Sequence, residues 1–266
     1  MPRQSKPIQS NMGWSTVDRV FVQGLDLTQQ LLGNINLGDM AFLELSGRLP
    51  TPQQSAVFNA MLVTLVEHGL TPQALVTRLV YMSAPEALQA AVAAGLCGVG
   101  SVFAGGSEGA AKMLQEALAA DPKAELAAVA RAVVADFRSR RAVIPGLGHA
   151  RHKPIDPRTP RLFEIAAANQ LRGRYVALLE LIGQEAERAY KRPLPINGTG
   201  AIGALCCELG FDWRIARGIA VIGRAVGLVG HLAEEIRQPI AREIHLRAED
   251  ECSTQAEKSQ GSLTAT

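Results

Sequence analysis

Two Thr-Pro pairs constrain this chain more than any other feature. Thr51-Pro52 heads apolar residues at Val57, Met61 and Leu65, and Thr71-Pro72 heads Leu75, Leu79 and Met82. Proline suits the first turn of a helix, where its missing N–H would have had no partner, and apolar residues three or four apart line one helical face. The same spacing predicts helices over Leu25–Leu32, from an Asp39 cap to Leu45 with Gly47 as its stop, and over alanine-rich Ala84–Leu96. It continues through Lys112–Ala119, Ala124–Ser139, Pro160–Ala168, Gly173–Tyr190, Ala201–Leu209, Trp213–Val226 and Leu228–Arg237. No stretch alternates apolar and polar residues as a half-buried strand does, so the expected class is all-α. The first dozen residues and the tail after Glu249 read as loose ends.

Composition narrows the function classes. With 47% hydrophobic residues among 266 the chain is globular, with enough material for one large domain or two modest ones. A net charge of +2 and 5% aromatics argue against a nucleic-acid surface built on basic patches and base stacking. The N-terminus lacks an apolar signal core, and no uninterrupted apolar run matches a membrane span, so a soluble cytoplasmic protein without a membrane partner is expected. Cys97, Cys206, Cys207 and Cys252 form no CxxC pair, and the five histidines show no metal-ligand spacing, so no metal is expected. Cys97 and Cys206 lie in apolar helical runs and read as buried, reduced thiols. Gly105-Gly106 resembles a phosphate loop, but no strand precedes it.

Polar groups stranded between helices are the candidates for chemistry. Three loops hold them: Glu67-His68-Gly69, Pro145 to Arg158, and Ile196-Asn197-Gly198-Thr199-Gly200. His68 is either a dipole-favoured histidine at a helix end or a ligand contact. His149, Arg151, His152 and Lys153 make either an anion site or a solvated basic loop. Arg224 lies in the apolar run Val221 to Gly227, where its charge needs a salt-bridge partner or a ligand.

The stretch Val143-Ile144-Pro145-Gly146-Leu147-Gly148-His149, followed by Lys153 and Asp156-Pro157-Arg158, resembles the signature of the citrate synthase family. Gly47-Arg48-Leu49-Pro50-Thr51-Pro52, Leu194-Pro195-Ile196-Asn197 and Gly223-Arg224-Ala225-Val226-Gly227 resemble its other segments, so the likeness covers roughly residues 26–242. It implies an all-α fold with a large and a small helical domain, a cleft between them, and a homodimer or higher homo-oligomer. The implied division is an arm over 1–24, a large domain over 25–104 and 211–266, and a small domain over 105–210. A polycarboxylate and a coenzyme A thioester are the implied small-molecule ligands. By resemblance, His149 contacts the ligand's carbonyl or tertiary hydroxyl, Arg158 and Arg224 pair with its carboxylates, and Asn197 lies beside them. His68 resembles the histidine of the family's Asp-His pair, with Glu67 in place of the aspartate. Ile144, Pro145, Gly146, Leu147 and Gly148 border coenzyme A, and Lys153 meets its phosphates. Arg242 matches the arginine lent to the partner subunit, with Arg237 as the fallback.

Two departures from the family pattern bear on the reaction. Phe103 stands where citrate synthases carry the histidine of an L-H-G-G segment, as in the lyase domain of ATP-citrate lyase. Thr199 stands where both branches carry the aspartate of an N-V-D motif, and a threonine hydroxyl is a poor acid or base near neutral pH. The resemblance therefore implies a citryl-CoA lyase-like carbon–carbon lyase that releases acetyl-CoA and oxaloacetate or a related keto acid. A base near His149 takes the hydroxyl proton, and loop amides or His68 hold the enolate oxygen. Thr199 through water, Glu108 or His152 supplies the final proton. The same site run as a condensing acyltransferase, or as a non-catalytic coenzyme A and carboxylate binder, stays open.

Overall fold

The structure, a computed structural model, describes residues 10–103 and 105–263. Among these the architecture is all-α: α1 (Leu37–Ser46), α2 (Pro52–Val66), α3 (Pro72–Ser83), α4 (Leu88–Cys97), α5 (Gly106–Ala120), α6 (Leu126–Ser139), α7 (Arg158–Ala168), α8 (Arg174–Tyr190), α9 (Gly198–Glu208), α10 (Ala216–Arg237) and α11 (Ala241–Leu263). One departure lies early in the chain. There β1 (Gly13–Ser15), β2 (Val20–Val22) and β3 (Leu25–Asp26) form an antiparallel sheet in the order β1-β2-β3. Strands this short carry too few residues to display alternation. Their register pairs Trp14 with Phe21, and the two rings stack with centroids 3.9 Å apart. The helix expected over Leu25–Leu32 is only a π-helical turn, Leu27–Leu31, which Asp26 caps by accepting the N–H groups of Thr28 and Gln29. Residues 1–9 of the expected loose arm lie outside the described residues.

Helix starts follow local side-chain chemistry. Thr51 Oγ1 accepts the Gln54 N–H at 3.2 Å while Gln54 Oε1 accepts the Thr51 N–H at 3.1 Å, a reciprocal cap that opens α2. Asn36, not Asp39, caps α1 by accepting the Asp39 N–H, because its side chain stands one turn ahead of the first free amides. Gly47 ends α1 in the left-handed conformation, as expected. The tail expected to fray is the helix α11.

Two helices expected over 213–237 are one, α10, entered by a short 3-10 turn at Trp213–Ile215. Gly227 is not a break. A Cβ there would lie 1.9 Å from the Val66 carbonyl oxygen, so glycine permits close packing inside a continuous helix. Gly227→Ala is expected to destabilise the protein by about 2–3 kcal/mol, seen as a melting temperature lower by roughly 5–10 °C. An unchanged melting curve would mean that the end of α2 does not press on α10. By length and composition Trp213–Arg237 is apolar enough to cross a bilayer. Yet the helix carries Arg224, His231 and Glu235 among its buried residues, alongside Ile219, Ala220, Leu228 and Leu232.

The chain forms two compact units. The first comprises the described residues of Met1–Leu62 with Ser107–Ala216, the second those of Val63–Gly106 with Arg217–Thr266. Residues up to Leu62 thus group with the 107–216 segment. The reason lies in one cluster: Phe42 meets Phe58 and Phe211 edge-on, with centroids 5.4 and 5.1 Å apart. The Phe211 carbonyl accepts Gln115 Nε2–H at 2.7 Å, which adds α5 to that core. In the same unit α8 packs on α6 and α9, and α7 packs on α9. In the second unit α3 packs on α4 and α11.

Cys206 and Cys207 are buried in α9, and burial pushes both thiols above their ordinary range, which keeps them protonated. Cys97, expected to be buried, is exposed, because it closes α4 on the outward side.

Candidate active site

In the first unit, the loop over Ile144 to Arg158 is pinned to the start of α9. The Gly148 N–H donates to the Pro195 carbonyl at 2.7 Å, and the Asn197 N–H donates to the Gly146 carbonyl at 2.9 Å. Asn197 Nδ2–H donates to the Gly148 carbonyl at 2.7 Å. The Asn197 Oδ1 caps α9, accepting the Gly200 N–H at 2.9 Å and the Thr199 hydroxyl at 2.8 Å. Thr199 therefore lies in the first turn of a helix rather than in the loop expected over Ile196 to Gly200. Two glycines make the approach possible. Gly146 has φ +84°, a Cβ on it would lie 2.7 Å from Gly200 Cα, and a Cβ on Gly200 would lie 2.4 Å from the Gly146 oxygen.

Asp156 is fully buried and organises the rest of the loop. Its carboxylate accepts Arg158 Nε–H at 3.0 Å and Nη2–H at 2.7 Å, the Arg158 N–H at 3.1 Å and the Gly198 N–H at 2.8 Å. Burial by itself would raise this carboxyl's pKa. The bonds from the Arg158 guanidinium and from the Gly198 and Arg158 amides win, holding it at about 2. Arg158 spends two of its five N–H groups this way and lies flat over Gly198, whose absent Cβ would stand 2.9 Å from the guanidinium carbon. Three N–H groups are left for an anion, and the partly exposed side chain can reach one.

His149 is half-buried. Its Nδ1 accepts the N–H groups of Arg151 at 3.1 Å and His152 at 2.9 Å. Two donors aimed at one ring nitrogen require it to be unprotonated, which places the proton on Nε2. Burial, then the nearby His152, push the His149 pKa below its ordinary value, Asp156 opposes them, and Arg158 and Arg151 add to the lowering. The ring is thus a neutral N–H donor, suited to an oxygen that gains negative charge.

Ile144 and Leu147 are buried, and they line a cavity of about 420 Å³ together with Leu194 and Tyr190. Arg138, Arg141 and Arg192 stand on its walls, a charge pattern that fits phosphate. Lys153 is exposed. The structure therefore brings together His149, Thr199, Asn197, Arg158 and the segment Ile144 to Gly148.

The second unit holds the other expected residues. His68 is exposed in the turn after α2, where Glu67 Oε1 accepts the His68 N–H at 2.7 Å and the Gly69 N–H at 2.5 Å. Arg224 is 5% exposed within α10. Arg242 is exposed in the first turn of α11, and Arg237 ends α10. Asp156 stands in the Asp-Pro-Arg motif, but its role is visible only once Arg158 and Gly198 fold onto its carboxylate. Arg78, a charge in the apolar run of α3, carries in the sequence the same signal as Arg224.

Comparison with known proteins bears on the fold and the family. The citryl-CoA lyase from Hydrogenobacter thermophilus is 33% identical, superposes with a TM-score of 0.80, and each chain covers 88% of the other. The ATP citrate lyase from Methanothrix soehngenii, solved with citrate and coenzyme A, is 21% identical with a TM-score of 0.74, over 88% of this chain and 40% of that one. This likeness speaks for the fold. The probable ATP-citrate synthase of Dictyostelium discoideum is 24% identical over 237 residues, which are 83% of this chain and 37% of that relative's length. Residues 24–245 match the family described as citrate synthase, C-terminal domain, and a match over that much of the chain means that this protein belongs to the citrate synthase family.

Proposed function

We propose that this protein is a citryl-CoA lyase-like carbon–carbon lyase, cleaving a citryl-CoA-type thioester to acetyl-CoA and oxaloacetate or a related keto acid. The observation that carries this reading is the His149 loop, a neutral imidazole whose donor nitrogen is fixed by two backbone amides, next to an Asp156-oriented Arg158. The likeness to a citryl-CoA lyase supports it. Arg158 and Arg224 hold the carboxylates, matching planar guanidinium to planar carboxylate. His149 Nε2–H donates to the tertiary oxygen and steadies it as the hydroxyl proton leaves and the carbonyl forms. A separate base takes that proton, since neither ring nitrogen of this tautomer is open to accept it. Breaking the carbon–carbon bond leaves the thioester enolate, whose oxygen His68 or a loop amide holds, and a proton on its carbon completes acetyl-CoA. Arg138, Arg141 and Arg192 receive the phosphates of coenzyme A. The protein acts in the cytoplasm as a homodimer in which Arg242 serves the partner's site, and light scattering of the purified protein measures that mass.

One observation favours a second reading. The Thr199 hydroxyl donates to Asn197 and cannot also act as the acid that the family aspartate supplies. A site that binds coenzyme A and carboxylate without turnover, or that runs in the condensing direction with other acyl groups, would keep every other contact.

The test is oxaloacetate release from citryl-CoA, followed as NADH loss with malate dehydrogenase. Wild-type release is expected, and His149→Ala should lower kcat by about 10²–10³-fold. Release by Thr199→Asp but not by wild type would mean a correctly built site that lacks its acid. No release by either, with no heat of coenzyme A or citrate binding, would overturn the proposal.

A further inference from the structure

Arg78 is fully buried in α3 and sits at the centre of a charged network in the second unit. Its Nη1–H donates to Glu235 Oε2 at 2.6 Å, its Nη2 also meets Glu234, and its Nε–H donates to His231 Nδ1 at 3.1 Å. Nη2 lies 2.8 Å from the same His231 nitrogen. Arginine has only donors, so His231 Nδ1 must accept and the His231 proton sits on Nε2. That nitrogen lies 3.0 Å from Glu67 Oε2, close enough for an ion-pair contact but at an angle that falls short of a hydrogen bond. The other oxygen of Glu67 holds the His68 and Gly69 amides. On the far side, Glu235 Oε1 accepts the N–H groups of Ile240 at 2.9 Å and Ala241 at 2.8 Å, the free amides where α11 begins. One guanidinium therefore connects the turn bearing His68 to the helix start bearing Arg242.

We propose that Arg78 and His231 are positioning residues for the reaction. Through Glu67 they set the direction of the His68 turn, and through Glu235 they set the start of α11 and with it Arg242. The inference rests on the lyase reading, in which His68 and Arg242 meet ligand. A network built only for stability would not need to end on the two backbone segments that present those side chains. It would also not need a histidine: an apolar ring of similar size would fill the space, and buried ion pairs are often replaced by apolar groups without loss.

Two readouts test this, one of them independent of turnover. Hydrogen exchange read by mass spectrometry follows the amides of His68 and Gly69 and those of Ile240 and Ala241. His231→Phe is expected to speed exchange at the first pair by about tenfold and to leave the second pair protected. Arg78→Met should release both pairs. His231→Gln, whose amide N–H takes the place of Nε2–H, should restore protection at the first pair. With citryl-CoA, His231→Phe should lower kcat by about tenfold with little change in KM, because a donor to the enolate oxygen acts in the transition state, and His231→Gln should recover most of it. Unchanged exchange at His68 and Gly69 in His231→Phe, or a His231→Gln variant as impaired as His231→Phe, would overturn the proposal. Wild-type protein without turnover would sink the lyase reading alone, and the exchange results would still decide the positioning role.

Discussion

Arg78→Ala is expected to destabilise the protein by about 3–5 kcal/mol, the largest loss from any single side chain considered. Removing the guanidinium leaves the Glu235 carboxylate, itself 5% exposed, without its cation, and leaves a void among packed helices. An uncompensated buried charge costs more than the pair contributes, so the effect exceeds that of a surface ion pair such as Arg161–Glu164. Urea unfolding measures it. The double variant Arg78→Met/Glu235→Gln should recover part of the loss, because both charges then leave together. A loss below about 1 kcal/mol in Arg78→Ala would mean that water reaches Glu235 readily and that the network is solvated.

Asp156→Ala is the second large effect, expected at about 3 kcal/mol of stability together with a loss of activity. The carboxylate holds four N–H groups, and two belong to the guanidinium that is proposed to grip the ligand. Without it Arg158 loses its direction, and KM for citryl-CoA should rise as kcat falls. The acid limb of stability gives an independent check. The carboxyl is held at about 2 against an ordinary 3.8, so the unfolded chain takes up this proton before the folded protein does. The stability this contributes is complete above about pH 4 and is lost as the pH falls toward 2. Asp156→Asn should therefore flatten the dependence of stability on pH between about 4 and 2. An unaltered slope there would mean that Asp156 is not the group responsible, and Arg158 would need another explanation for its orientation.

Local chemistry made most of the helices readable. The Thr51 and Thr71 starts, the Gly47 stop and the long apolar stripes of α8 and α10 are patterns within one or two turns, and the chain obeys them because each turn closes on residues three or four away. The same locality explains the misses. The strands β1 to β3 are too short to alternate, and Asn36 takes the cap expected of Asp39 by standing three residues earlier. Gly227 has the form of a helix break, yet its meaning depends on a carbonyl of another helix.

The candidate site divides in the same way. His149, Arg158, Asn197 and the Ile144 to Gly148 loop stood out in the sequence because their residue types and spacings resemble a motif of the citrate synthase family. Their chemistry did not. That His149 is a neutral donor follows from two amides folding back onto Nδ1, and that Thr199 has committed its hydroxyl follows from the cap it shares with Asn197. Sequence alone determined that the chain is helical and roughly where most of its helices lie, since those depend on neighbours in the chain. Tertiary structure decided which charges are buried and what holds them. Arg78 and His231 meet across 153 residues, and no periodicity in either helix encodes a contact made only when both are packed.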